Sequence, residues 1–216
     1  MKNLISESLR MVILMTLFSL AFLSSKAQTV YDFIAASPNH TTLTAAIDAA
    51  NLESVLSGSG DFTVFAPTDD AFGVALSELG LTAEELLASD GLADILTYHV
   101  IGSSVLSTDL TNGMTATPLN DANTIKVSVG DAGVFVNQAQ VVIPDNVTGN
   151  GVVHVTDGVI LSSETVVDIA LSTGVHNTLV AAVIEAELLP ALTNPFAELT
   201  VFAPTDDAFG VALSEL

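Results

Sequence analysis

Residues 62–72 read FTVFAPTDDAF, and this stretch predicts a strand that turns directly into a helix. Its first five residues are apolar or β-branched, which is typical of a short buried strand. Pro67 ends the strand because it has no backbone N–H to donate, and Thr68 is placed to cap the helix that follows. Asp69 and Asp70 then fall in the first helical turn, where free N–H groups and the helix dipole favour negative charge.

Adjacent aspartates are also one way to begin a calcium site. Calcium-binding loops alternate their oxygen ligands over a longer stretch, and that alternation is missing around Asp69 and Asp70. We therefore favour helix capping at these two residues, and we expect neither a metal site nor a cofactor.

The strand-to-helix stretch occurs twice. Residues 63–79 and 200–216 are identical at every position. A weaker match upstream has an offset one residue shorter, which suggests an insertion near Gly58 or Gly60. We predict a repeating domain of about 137 residues rather than a short solenoid repeat. Residues 28–163 would form a complete first domain and residues 164–216 a truncated second one, and the identity itself fits either recent duplication or an assembly artefact.

Residues 1–27 have the organisation of a secretory signal peptide. Lys2 and Arg10 make a basic start, residues 11–23 are an apolar run, and residues 25–27 (SKA) offer a small-residue cleavage site. The apolar run is shorter than the roughly 20 residues of a spanning helix. An uncleaved anchor is the alternative, and with cleavage we expect no membrane insertion.

The charge is strongly acidic, with 25 Asp and Glu against four Lys and Arg. Beyond the predicted signal peptide only one basic residue remains, Lys126. Such a chain repels phosphate backbones and anionic lipid, so we expect no nucleic-acid partner. Solubility alone would also explain the charge. Cysteine is absent, which excludes disulfides, thiolate metal sites and cysteine nucleophiles.

Helical periodicity dominates the chain between residues 41 and 99. Apolar residues share one helical face in several segments, most clearly at Leu43, Ala46, Ile47 and Ala50. Thr41 or Thr42 is expected to cap the start of that helix. Thr82 and Glu85 have the spacing of a capping box.

Strand patterns follow the helices. Apolar residues alternate over residues 124–129, and shorter segments follow at 134–137 and 141–143, the last closed by the Pro-Asp-Asn turn at 144–146. Residues 152–161 form a strong β segment, interrupted by a hairpin turn or a bulge at its Asp-Gly pair. Helices first and strands afterwards predict an α+β domain with an antiparallel sheet.

Three of these segments resemble the motifs of fasciclin (FAS1) domains, in the order the family has them. Residues 62–72 resemble the first signature motif, and residues 151–161 (GVVHVTDGVIL) resemble the second. Tyr98-His99 stands between them, where the family carries its Tyr-His motif. The resemblance covers residues 29–163 fully and 164–216 as a partial second copy. It implies a compact β-sandwich or wedge with N-terminal helices packed on it.

The resemblance also implies roles for single residues. The family's Tyr-His region is associated with receptor contact, so Tyr98 and His99 are the candidate binding residues. The alternative is that both are polar members of the core. His154 alternates with valines in a strand and is expected to make a structural hydrogen bond. Asp157 is expected to accept N–H bonds from the turn that follows it.

By resemblance the function is adhesion at an extracellular protein or polysaccharide. Catalytic motifs such as a nucleophile elbow, a zinc helix or a phosphate loop are missing, so we predict that the protein is not an enzyme. The alternative function is an extracellular carrier of a small apolar ligand such as a carotenoid or lipid. We expect the protein to be secreted or held at the cell surface, or in the periplasm of a Gram-negative host.

Overall fold

The computed structural model describes residues 28–120, 123–161, 165–194 and 199–214. The predicted signal peptide therefore lies outside the described residues. We call residues 28–161 the first unit and residues 165–214 the second unit.

Six helices belong to the first unit, counted among its described residues. They are α1 (Val30–Ala35), α2 (Thr41–Ala49), α3 (Glu53–Leu56), α4 (Asp69–Leu79), α5 (Ala83–Leu87) and α6 (Leu92–Tyr98), and a single 3₁₀ turn covers Ser107–Asp109. The predicted face of α2 is confirmed, because Leu43, Ala46 and Ile47 are buried. The capping box at Thr82 and Glu85 is also confirmed, and it begins α5.

The start of α2 differs from the prediction. His40 is the N-cap, and the cap comes from a carboxylate far along the chain. The backbone N–H groups of Thr41 and Thr42 donate to Asp69 at 3.2 and 2.7 Å. Neither threonine caps the helix with its own side chain, because Asp69, the first residue of α4, satisfies the free N–H groups of α2 instead.

Seven strands form one sheet in the described part of the first unit. They are β1 (Phe62–Pro67), β2 (Val100–Ile101), β3 (Thr115–Ala116), β4 (Ile125–Gly130), β5 (Gly133–Val136), β6 (Ala139–Thr148) and β7 (Gly151–Thr156), in the spatial order β2-β1-β7-β6-β5-β4-β3. A bridge between Ile101 and Pro118 links the two ends, so the sheet is nearly closed. The predicted mixture of helices and strands in a wedge is confirmed.

The prediction of an antiparallel sheet is wrong at one central pair. Strands β1 and β7 run parallel, with Phe62 opposite Gly151 and Pro67 opposite Thr156. A parallel pair needs a long crossover, and here the crossover contains most of the first unit. Gly151 has φ +156°, and a Cβ atom there would lie 2.1 Å from the carbonyl oxygen of Phe62. A glycine is therefore required where the two strands meet.

Strand β6 does not end at the predicted Pro-Asp-Asn turn. It continues to Thr148, with its register against β7 shifting between Val141 and Ile143 and again before Asn146. Asp145 occupies the left-handed region at φ 60° inside this irregular stretch. Bulges accommodate extra residues without ending a strand, which is why turn-forming residues lie inside β6.

Strand β7 is shorter than predicted and ends at Thr156. The Asp-Gly pair after it is a bend. Asp157 does not bond to the turn that follows it. Its carboxylate accepts the backbone N–H of Gln140 on the neighbouring strand at 2.7 Å.

The core has two parts, one on each side of β1. Val64 and Ala66 pack with the helices, including Leu43, Ile47 and Leu96. Phe65 points the other way, into a smaller cluster with Tyr98, Ile125, Val136 and Ile160. Both faces of β1 are therefore buried, which accounts for its nearly continuous apolar sequence.

The described residues of the second unit form four helices joined by irregular segments. They form α7 (Val166–Thr173), α8 (Asn177–Glu185), α9 (Leu189–Leu192) and α10 (Asp206–Ser214). The N–H of Thr178 donates to Asp206 at 2.7 Å, which repeats the bond between Thr42 and Asp69 in the first unit.

Candidate functional site

The three segments that resemble the fasciclin motifs meet around Phe65. Its backbone N–H donates to the carbonyl of His99 at 2.9 Å. Its ring stacks on the ring of His154, with centroids 5.7 Å apart and planes 24° from parallel. The backbone N–H of Ile160 donates to Nε2 of His99 at 2.8 Å. The motifs therefore form one continuous cluster, and this cluster lies in the interior.

His99 is held in one neutral form by its two hydrogen bonds. Nε2 accepts from Ile160, so Nδ1 carries the proton and donates to the carbonyl of Ile95 at 2.8 Å. Burial lowers the pKa of His99 to about 4, although the bond to Ile95 acts in the opposite direction. A neutral ring with both nitrogens occupied is suited to holding α6 against the segment that follows β7.

Tyr98 is also buried, with 1% of its surface exposed. Its hydroxyl accepts a hydrogen bond from Nδ2 of Asn137 at 3.1 Å. Burial raises the pKa of Tyr98, and the charge of Asp168 adds to the increase. The binding role of Tyr98 and His99 stays a prediction. A partner on the surface cannot touch either side chain in this structure.

His154 lies beside a serine and an aspartate, yet the three do not form a catalytic triad. Its Nδ1 accepts the backbone N–H of Asp145 at 3.2 Å, and Nε2 donates to the carbonyl of Val105 at 2.9 Å. The hydroxyl and the N–H of Ser107 both bond to the carboxylate of Asp145. These bonds lower the pKa of Asp145. A serine nucleophile needs a histidine base within reach, and here both nitrogens of His154 bond to backbone groups.

The Thr68-Asp69-Asp70 segment joins two helices. Thr68 is the N-cap of α4, where its hydroxyl accepts the N–H of Ala71 at 3.2 Å. Burial opposes the charged form of Asp69, but the bonds from Thr42 and Thr41 outweigh it and lower its pKa. Asp70 is exposed. Within the described residues, no group of three or more histidines or acids is arranged to hold a metal ion.

Three buried polar residues were not singled out as site residues from the sequence. Asn150 accepts the N–H of Val30 at 2.8 Å and donates to the carbonyls of Leu56 and Gly58, so it ties α1 and α3 to β7. Asn137 and Lys126 connect the Tyr98 hydroxyl to the second unit. The available signals were an Asn-Gly pair at 150 and a single lysine in a strand that otherwise carries no charge.

A cavity of about 230 Å³ lies in the second unit, lined mainly by apolar side chains. Its lining corresponds to the helix-facing core of the first unit, shifted by the repeat offset. Leu179, Val183 and Val201 are the counterparts of Leu43, Ile47 and Val64. In the first unit, residues from α6, β2 and β7 cover this surface.

None of the helices in the described ranges is long and apolar enough to cross a membrane.

The Fasciclin domain family matches residues 38–162, more than half of the chain. Protein sll1483 of Synechocystis sp. is 40% identical over 141 residues, which are 64% of this chain and 76% of that protein. Human periostin is 30% identical over 183 residues, which cover 83% of this chain and 21% of periostin. A FAS1 domain pair from the insect cell adhesion molecule Fasciclin I aligns with a TM-score of 0.48 at 18% identity, covering 81% of this chain and 62% of that one. On the family match and the cyanobacterial relative, the chain belongs to the fasciclin domain family.

Proposed function

We propose that the protein is an extracellular, non-catalytic interaction module that attaches to a protein or polysaccharide surface. One observation carries the proposal. The side chains of the family motifs that are equipped for chemistry, Tyr98, His99 and His154, are all used inside the fold. What the first unit offers a partner is therefore its outer surface.

The charge of that surface indicates the chemistry of the partner. Lys126 is the only Lys or Arg in residues 28–216, and it is 5% exposed. Asp and Glu are spread over the helices and loops. A partner with basic groups gains from this field, and a neutral polymer is tolerated, whereas an anionic surface is repelled.

Export and repetition support the same function. The first 27 residues have the sequence features of a signal peptide, which would deliver the chain outside the cytoplasm. The second unit repeats the motif sequence of the first. Two weak sites on one chain bind a surface more strongly than either does alone, provided that both reach it.

Tyr98 and His99 then contribute to binding indirectly, because they are buried and hold the segments that form the surface in place. His99 fixes α6 to the segment that follows β7, and Tyr98 fixes Asn137 between β5 and β6. A change that keeps these hydrogen bonds should keep binding. A change that breaks them should alter binding together with the local fold.

The test is solid-phase binding of the purified chain (residues 28–216) to an immobilised basic protein, a neutral polysaccharide and an acidic polysaccharide. We expect saturable binding to the first or second surface and none to the acidic one. Salt should weaken binding to the basic protein, because screening shortens the range of surface charge. Glu84 is exposed on α5. Of the matched variants, Glu84→Lys reverses this surface charge and Glu84→Gln removes it. An unrelated protein of equal acidity that bound as well would contradict the proposal.

The Tyr-His part has its own variant. His99→Gln can accept from Ile160 at the position of Nε2, so it replaces that hydrogen bond without the imidazole. We expect the folded variant to bind as the wild type does. Loss of binding with an unchanged circular dichroism spectrum would mean that His99 acts on the partner directly.

The cavity of about 230 Å³ favours a second candidate, the carrier of a small apolar ligand. The cavity is smaller than the roughly 300–1,000 Å³ of most ligand pockets, and its lining corresponds to surface that is packed in the first unit. Organic extraction of the protein from its native source, followed by mass spectrometry and absorption spectroscopy, separates the two functions. A stoichiometric lipid or pigment would support the carrier, and an empty extract would exclude it.

A further inference from the structure

The only Lys or Arg of residues 28–216 is used at the junction between the two units. Lys126 lies on β4 of the first unit, where the first four residues of the strand are all buried. Its Nζ forms an ion pair with Asp168 on α7 of the second unit. The side chains of Lys126 and Asp168 are 5% and 16% exposed, so water shields the pair poorly. A buried lysine without its partner would be strongly unfavourable.

Asp168 is prepared for this contact by its own helix. One carboxylate oxygen, Oδ2, accepts the hydroxyl and the N–H of Thr165 at 2.6 and 2.9 Å, which is the capping box of α7. The other oxygen, Oδ1, faces Lys126. The helix cap therefore orients the carboxylate before the ion pair forms. The same box occurs at Thr29 and Asp32 on α1, so it is a feature of the repeating unit.

Lys126 is fixed from the other side by Asn137. The side-chain oxygen of Asn137 accepts the N–H of Lys126 at 2.9 Å, and its backbone N–H donates to the carbonyl of Lys126 at 2.7 Å. Asn137 has φ 53°, a left-handed conformation that asparagine tolerates better than most residues. Its Nδ2 then reaches the Tyr98 hydroxyl. A hydrogen-bonded connection thus runs from the Tyr98 hydroxyl through Asn137 to Lys126.

Two further contacts surround the ion pair. Asn112 donates from Nδ2 to the carbonyl of Ile184 near the end of α8, at 3.2 Å. The backbone N–H of Asp131, in the turn after β4, donates to Glu187 at 3.1 Å. The second unit is therefore held at three separate places along β4 and the loops beside it, enough to fix an orientation.

We propose that the face of β4 around Lys126 is a docking surface for the first helix of the following fasciclin unit, and that it recognises the carboxylate at the third position of that helix. Tyr98 and Asn137 are positioning residues, because they set the strand that presents Lys126. Tyr98 of the Tyr-His motif thereby has a role in joining units. This inference does not depend on which surface the protein binds.

The test measures the orientation of the two units. Because the chain contains no cysteine, Glu78→Cys and Ser172→Cys provide two unique labelling sites, exposed and one in each unit. Pulsed electron paramagnetic resonance of the doubly labelled chain gives the distribution of distances between them. We expect one narrow distribution in the otherwise unchanged chain, and a broad one after Lys126→Met or Asp168→Asn.

Three comparisons keep the result interpretable. Asp145→Asn removes a hydrogen-bonded carboxylate within the first unit and should leave the distribution narrow. Combining Lys126→Met with Asp168→Asn should broaden it no further than either alone, because both remove the same interaction. Tyr98→Phe should broaden it partly, whereas a purely structural role would lower the unfolding temperature and leave the width unchanged. A broad distribution in the parent chain, or a narrow one in Lys126→Met, would overturn the proposal.

Discussion

The buried imidazole of His99 makes the stability of the fold depend on pH in a way that can be measured. Nε2 accepts the N–H of Ile160, so a proton can be added there only after that hydrogen bond is broken. The folded protein therefore keeps His99 neutral well below the pH at which an exposed histidine takes a proton. Acidification is the perturbation, and unfolding free energy is the quantity that responds.

The magnitude follows from the two pKa values. Burial lowers the pKa of His99 from its usual 6.5 to about 4 in the folded state. Above pH 6.5 the imidazole is neutral in both states, and its contribution to stability is fully present. Between pH 6.5 and about 4 the unfolded chain binds a proton that the folded chain does not, so stability falls with falling pH. At about 1.4 kcal/mol per pKa unit, the total loss is on the order of 3 kcal/mol.

The assay is urea unfolding at several values between about pH 7 and about pH 4.5, followed by circular dichroism, for the wild type and His99→Gln. The glutamine amide can replace Nε2 as the acceptor for Ile160, and it has no titrating group. Burial also lowers the pKa of His40, but His40 is present in both proteins and cancels in the difference. We expect the wild type to lose up to about 1.4 kcal/mol more per pH unit than the variant, and only at pH values between the two pKa values of His99. Parallel curves for the two proteins would refute the reasoning.

Three further predictions concern single residues and metal. Asp69→Ala removes the cap of α2 and should lower the free energy of urea unfolding by about 1–2 kcal/mol. Asp70→Ala changes an exposed neighbour and should alter it by less than about 0.5 kcal/mol. Equal costs for the two variants would argue against the cap. Phe65→Ala should lower the free energy of unfolding by about 3–5 kcal/mol. Phe202→Ala, at the equivalent position of the second copy, should lower it almost not at all because Phe202 is 92% exposed. Equal stability losses for the two variants in calorimetry would contradict the packing. Calcium and EDTA should leave the unfolding temperature unchanged, and a rise with calcium would point to a metal site in the acidic segment.

The local features were the ones that sequence reasoning predicted well. Caps at Thr68 and Thr82 involve residues three apart, and the buried face of α2 follows from spacing within nine residues. Such features need only the helix itself. The family resemblance added the global fold, which no local pattern contains.

The features that sequence reasoning missed depend on distant partners. The parallel pairing of β1 with β7 joins residues that lie far apart in the sequence. The sequence of neither strand indicates whether it pairs in a parallel or an antiparallel direction. The burial of Lys126 depends on Asp168, which is contributed by the next unit. The cap of α2 was assigned to its own threonines because an acceptor 27 residues further on leaves no local pattern. The candidate binding pair was placed at Tyr98-His99 by resemblance, while its position at the end of an apolar helical face favoured a core role.

The duplicated sequence separates local from non-local causes within one molecule. Residues 69–79 form helix α4, and the same letters form α10 at Asp206–Ser214, so this helix follows from signals that the segment and its near neighbours carry. The residues that precede this helix, 63–67 and their copies at 200–204, behave differently. In the first unit they form β1 between β2 and β7, and Phe65 is fully buried, whereas in the second unit they are not a strand and Phe202 is 92% exposed. Because the sequences are identical, intrinsic β-propensity cannot account for the strand. β1 forms because it pairs with β7 and β2 and is buried against them, and its apolar sequence is compatible with a strand but does not by itself produce one.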